Sequence, residues 1–96
     1  MQQYLIIARD GTDAKAMERR MNARPDHFKI AKKLKDSGNF VIGGAMLDDK
    51  GNMIGSMMVV QFETEVELEL WLQREPYVNG KVWRDIEVKP FRVADV

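Results

Sequence analysis

The chain carries a single histidine among its 96 residues. His27 lies in the run Ala23-Arg24-Pro25-Asp26-His27-Phe28. Pro25 suits the first turn of a helix, where its missing N–H costs nothing. From there His27, Ile30, Ala31 and Leu34 follow the i, i+3, i+4, i+7 pattern of a core-facing stripe. An imidazole exchanges protons near neutral pH. Arg24, one turn upstream, can hold an anionic group while the imidazole handles a proton. Far along the chain a second helix ends in Arg74-Glu75-Pro76-Tyr77. Glu75 continues the inward stripe of Leu68, Trp71 and Leu72. A carboxylate bonded to one ring nitrogen sets the tautomer and stabilises the imidazolium. His27 and Glu75 are thus the parts of an acid–base dyad, and Tyr77 can donate into the same cleft. The plainer reading is a core histidine satisfied by backbone carbonyls, a solvated Glu75 at a helix end and a packing Tyr77.

Other residues offer less. Gly43-Gly44 within a strand marks a bulge or close approach by a ligand, with Gly44 the contact. It lacks the GxGxxG pattern of a dinucleotide site. Ser56 is a candidate substrate contact; as a nucleophile it has no GxSxG context. Asp48-Asp49 opens no complete calcium loop. One histidine and no cysteine leave zinc and other transition metals poorly served and exclude thiolate catalysis and disulfides. Neither a metal nor an organic cofactor is expected.

The elements that must position these groups read in order. Tyr4 to Ala8 is an apolar strand. Asp10-Gly11 signals a turn, and Ala14 to Asn22 reads as a loop or one or two helical turns. The His27 helix stops at Gly38. Phe40 to Leu47 and Ile54 to Phe62 are strands joined by a hairpin loop at Asp48 to Asn52. Thr64-x-x-Glu67 is a capping box that opens the second helix, and Pro76 ends it. Asn79-Gly80 turns the chain into a strand from Val82 to Val88, with Pro90 marking an edge or the strand's end. The order β-α-β-β-α-β is the ferredoxin-like arrangement: a four-stranded antiparallel sheet with two helices on one face, α+β in class. Residues 1–96 are of a length for one domain.

Two helices leave one sheet face bare. Yet the first strand is apolar both ways, with Tyr4, Ile6 and Ala8 on one side and Leu5 and Ile7 on the other. A half-solvated sheet alternates apolar with polar residues, and a bare apolar face makes a large patch for a monomer. A homodimer packed sheet to sheet is therefore expected. Fifteen Lys and Arg balance fifteen Asp and Glu, which argues against nucleic acid or an anionic membrane as partner. The basic run from Lys29 to Lys35 reads as a solvated helix face, and the seven methionines as core and dimer-face filling. No signal or spanning segment is visible, so a cytoplasmic location is expected.

Taken in order, Tyr4 to Ala8, Arg24-Pro25-Asp26-His27, Gly43-Gly44, Gly51 with Gly55-Ser56, Glu75-Pro76-Tyr77 and Glu87 to Phe91 resemble the YciI-like (YCII-related domain) family over nearly the whole chain. The resemblance implies a ferredoxin-like fold of the dimeric α/β-barrel type. It implies a histidine–aspartate pair in a cleft, and in one branch a cofactor-free elimination of chloride from chlorinated hydroxyquinols. His27 and Arg24 match the family's positions. Glu75 stands where the family usually has the aspartate of an Asp-Pro-Tyr motif, one methylene longer.

The leading functional expectation is a small cofactor-independent enzyme. In it His27 acts as acid or base, Glu75 orients it and Arg24 anchors a small cyclic or aromatic substrate. Elimination or isomerisation is the favoured reaction class. The alternative is a non-catalytic small-molecule-binding or accessory protein on the same scaffold. A cofactor-free monooxygenase is a weaker third, on fold analogy alone.

Overall fold

The computed structural model describes residues 1–96. Strand β1 (Gln2–Asp10) leads into helix α1 (Ala16–Asp36). The hairpin β2 (Phe40–Leu47) and β3 (Met53–Phe62) follows. Helix α2 (Glu65–Arg74), a short helical turn α3 (Pro76–Asn79) and strand β4 (Trp83–Phe91) complete the chain. The sheet has the order β2-β3-β1-β4, and every neighbouring pair is antiparallel. This is the ferredoxin-like α+β fold.

Strand alternation divides the sheet. Tyr4, Ile6 and Ala8 of β1 and Met58, Val60 and Phe62 of β3 are buried with Leu34 of α1 and Leu68 and Trp71 of α2. On the other face, Ile7 sits beside Met57 and Leu5 beside Val59, with Ile42 of β2 continuing the row. No element of the chain lies over this face, and Ile42 is 56% exposed.

Helix α1 departs from the sequence expectation. It does not open at Pro25 but starts at Ala16, with Pro25 in its interior. An interior proline deprives the Met21 carbonyl of its donor and crowds it, at a cost of about 3 kcal/mol. The early turns are anchored strongly enough to continue through it. Arg19 forks onto Asp13 at 2.8 and 2.6 Å and also reaches the Lys81 carbonyl at 3.2 Å. Arg20 ties the helix to Asp10 of β1 and Ser56 of β3. At the far end Gly38, at φ +79°, takes the left-handed conformation that ends the helix.

Thr64 caps α2 by accepting from the Glu67 amide at 3.3 Å. Beyond Pro76 the chain makes one further helical turn before the bend at Gly80, where Asn79-Gly80 alone predicts a simple turn. Strand β4 extends past Val88 through Pro90. It is an edge strand, and there a missing N–H can face solvent. No helix is long and apolar enough to cross a membrane.

Gly55 shows how closely the central strands approach. A Cβ there would lie 2.4 Å from the Ala8 carbonyl oxygen and 2.5 Å from the Met46 methyl. The obstacle is backbone on one side, so the sheet itself must shift. Gly55→Ala is expected to destabilise by about 1–3 kcal/mol, read as a lower urea midpoint. An unchanged midpoint would show that the strands part freely here.

Candidate functional site

Arg20, His27 and Leu34 are the buried residues of α1 and recur every second turn on its inner side. Opposite them, Glu75 closes α2 in an extended conformation (φ −64°, ψ 120°), the geometry that a following proline favours. This turn carries the Glu75 side chain inward, where it is 1% exposed. His27 Nδ1 hydrogen-bonds Glu75 Oε1. The same oxygen accepts from the Tyr77 amide at 3.2 Å, so Glu75 also caps α3. Its other oxygen, Oε2, is buried without a partner. The longer side chain of glutamate thus reaches the imidazole.

The imidazole is held on a second side by stacking. Its ring lies 3.9 Å from the Tyr77 ring at an interplanar angle of 11°. Trp83 meets both rings edge-on, 6.1 Å from His27 and 5.6 Å from Tyr77. With Nδ1 engaged and one face covered, Nε2 is the ring nitrogen with no hydrogen-bond partner in the chain. Burial pushes the Tyr77 phenol above its usual pKa, although Arg20 and Arg24 pull the other way. The phenol therefore remains protonated at neutral pH and can donate.

A second cluster adjoins the first. Arg20 is 3% exposed. Its Nη1 donates to both Asp10 carboxylate oxygens at 3.0 and 2.9 Å, and its Nη2 donates to Ser56 Oγ at 3.0 Å. The guanidinium lies over the Tyr77 ring, 4.8 Å from its centre. Trp83 Nε1 donates to the same Ser56 oxygen at 3.2 Å.

Both clusters border one cleft of about 290 Å³ between α1 and the β2–β3 hairpin. Arg20, Arg24, His27, Phe28, Gly44, Ser56 and Tyr77 line it. Arg24 lies over the Phe28 ring at 4.8 Å. Of the residues singled out from sequence, His27, Arg24, Gly44, Ser56 and Tyr77 share this lining, while Glu75 stands behind His27. Gly44 has open space where a Cβ would be. The tight glycine is its neighbour Gly43, where a Cβ would lie 3.1 Å from both the Met57 carbonyl oxygen and the Phe40 ring. A second groove of about 310 Å³ runs between α1 and α2, lined by Leu34, Phe62, Leu70 and Trp71. It brings no buried acid–base pair together. No group of three or more His, Cys, Asp or Glu side chains is placed to hold a metal ion.

Sequence reasoning missed Arg20, Asp10 and Trp83. Two full turns separate Arg20 from His27, so extending the helical stripe upstream would have found it. Placing the helix start at Pro25 hid it.

Comparison with known proteins agrees with this architecture. Protein YciI of Escherichia coli O6:H1 (strain CFT073) is 32% identical over 95 residues, covering 93% of this chain and 95% of that protein. An uncharacterized protein of Haemophilus influenzae is 30% identical over the same shares. Among solved structures, 5-chloro-2-hydroxyhydroquinone dehydrochlorinase (TftG) from Burkholderia phenoliruptrix AC1100, in complex with 2,5-dihydroxybenzoquinone, superposes with a TM-score of 0.81. The match covers 96% of this chain and 95% of that one at 18% identity, a likeness of fold. Protein Atu4242 from Agrobacterium tumefaciens follows at a TM-score of 0.56 and 16% identity, covering 98% and 94%. The model of the YCII-related domain matches residues 2–92, and the chain belongs to that family.

Proposed function

We propose that this protein is a small cofactor-independent enzyme that moves a proton in an elimination or isomerisation of a small cyclic or aromatic substrate. The observation that carries this reading is a buried imidazole bonded to a carboxylate at the wall of a cleft, with its other ring nitrogen free. His27 Nε2 takes a proton from substrate. The released electron pair forms a new double bond. In an elimination the leaving group departs with its own bonding pair; in an isomerisation the proton returns at another carbon. Glu75 holds the ring and stabilises the imidazolium, and Arg24 anchors an anionic oxygen. Gly44, Ser56 and Tyr77 contact the substrate. The dehydrochlorinase activity of the TftG relative, on the same fold, supports this class of chemistry.

The test is a panel of hydroxyquinols, lactones and enols, offered to the wild type and to His27→Ala. Turnover by the wild type, lost in a variant that still binds the compound, supports the proposal. Binding without turnover on every compound, merely weakened by His27→Ala, favours an accessory binding protein.

The proposal extends to a cytoplasmic homodimer that buries the open sheet face. Leu5, Ile7, Ile42 and Met57 form an apolar row there, and Arg9, Glu87 and Lys89 provide a polar rim. The wild type is expected to scatter light as a dimer at micromolar concentration, and Ile7→Lys with Met57→Lys as a monomer. A monomeric wild type rejects this interface.

A further inference from the structure

Ser56 has an unusual hydrogen-bond balance. Its Oγ lies 3.0 Å from Arg20 Nη2 and 3.2 Å from Trp83 Nε1. A guanidinium and an indole N–H can only donate. The hydroxyl oxygen therefore accepts both bonds. A serine hydroxyl has two lone pairs and one proton, so the proton is what remains. No carbonyl, carboxylate or ring nitrogen of the chain takes it. The residue is 3% exposed and lines the cleft. Buried donors are almost always partnered, and the partner here must come from the cleft.

Two features sharpen this donor. Accepting two hydrogen bonds, one from a cation, polarises the O–H. Arg20 is itself held by Asp10 at 2.9 Å, which keeps its guanidinium from swinging out to take a ligand oxygen in Ser56's place. The hydroxyl is also no nucleophile in this arrangement, since its lone pairs are engaged.

We propose that Ser56 is the oxyanion donor of this cleft, directing its proton at the enolate or phenolate oxygen of a bound ligand, with Arg20 and Trp83 as the positioning residues that set its polarity. The proposal rests on the reading of the cleft as the His27 site. It adds a selection rule. At Ser56 the ligand must present an acceptor, so a carbonyl or ionised oxygen is taken there and a hydroxyl that must donate is refused. When His27 removes a proton next to a carbonyl, the charge that develops on oxygen meets this donor.

The probe is 4-nitrophenol, whose absorption separates phenol from phenolate, with 4-nitrotoluene as the neutral analogue. The wild type is expected to bind the probe as phenolate. Ser56→Ala is expected to lose about tenfold or more in phenolate affinity and to leave 4-nitrotoluene binding unchanged. Trp83→Phe, which removes one donor and frees the hydroxyl to turn, is expected to lose part of the phenolate preference; it carries the test should Ser56→Ala not fold. A merely structural serine would weaken both probes together, and that result overturns the proposal. If phenolate binding survives Ser56→Ala and Trp83→Phe but falls in His27→Ala or Arg24→Ala, the oxyanion role is rejected while the cleft reading stands. If the wild type binds neither probe, both readings fall.

Discussion

On the proposed mechanism, replacing Glu75 by glutamine is expected to slow turnover in the cleft by about 10²–10⁴-fold, and adding His27→Ala to it to cost almost nothing further. Glu75 Oε1 accepts from both His27 Nδ1 and the Tyr77 amide. A glutamine can keep its carbonyl oxygen in that position, so α3 stays capped and the fold should hold. The carboxylate beside the imidazole is lost, and with it the stabilisation of the imidazolium that the proposed proton transfer to Nε2 would form. If the amide turns over instead, it presents an N–H to Nδ1. The ring proton then moves to Nε2, and the base is in the wrong tautomer. Either outcome disables the same step that His27→Ala removes. Residues that act as a unit give non-additive losses. Measuring kcat/KM for the wild type, both single variants and the double variant checks this. A Glu75→Gln protein within a few-fold of the wild type would show that the carboxylate only packs.

This pair of residues also shows what a sequence can disclose. The inward position of His27 follows from helical periodicity, and the Leu68–Trp71–Leu72 stripe points to Glu75, although the extended turn before Pro76 is what carries its side chain inward. The strands were legible for a similar reason. A two-sided apolar β1 announces itself by Leu5 and Ile7 between Tyr4, Ile6 and Ala8, and the same pattern exposes the bare face. The contact between the two helices was not legible, since spacing along one helix says nothing about its distance from another. Arg20 was hidden for two further reasons. Pro25 is best tolerated in a first turn, so local propensity set the helix boundary too late; tertiary anchoring through Arg19 and Arg20 overrides that preference. Arginine among Glu18, Arg19 and Lys15 also looks like a solvated face. Its burial depends on Asp10, which lies across the turn at the end of β1 and reads locally as part of that turn. The short helix α3 is not legible because its N-cap, Glu75, is also the residue that ends α2.

Asp10→Ala is expected to destabilise the fold by about 3–5 kcal/mol. At roughly 4–8 °C per kcal/mol for a domain of this size, the fall in Tm is about 12–40 °C. The side chains of Arg20 and Asp10 are only 3% and 5% exposed. Removing the carboxylate leaves a guanidinium buried with no counter-charge, beside an Nε that already lacks a partner. Most of the penalty is that stranded charge, not the lost attraction. Replacing both partners by apolar residues, Asp10→Leu with Arg20→Met, should therefore recover much of the loss, because desolvating two charges offsets most of what their pairing contributes. Thermal unfolding of the three proteins decides it; a double variant as unstable as Asp10→Ala would mean the pair is a net stabiliser. Recovery would carry a further consequence. An ion pair that an apolar pair can replace is not explained by stability. What the apolar version cannot supply is a fixed cation against Ser56 Oγ and the Tyr77 ring, 4.8 Å from its centre. A protein that regains its Tm and loses its preference for phenolate would tie the buried charge to the cleft and not to the core.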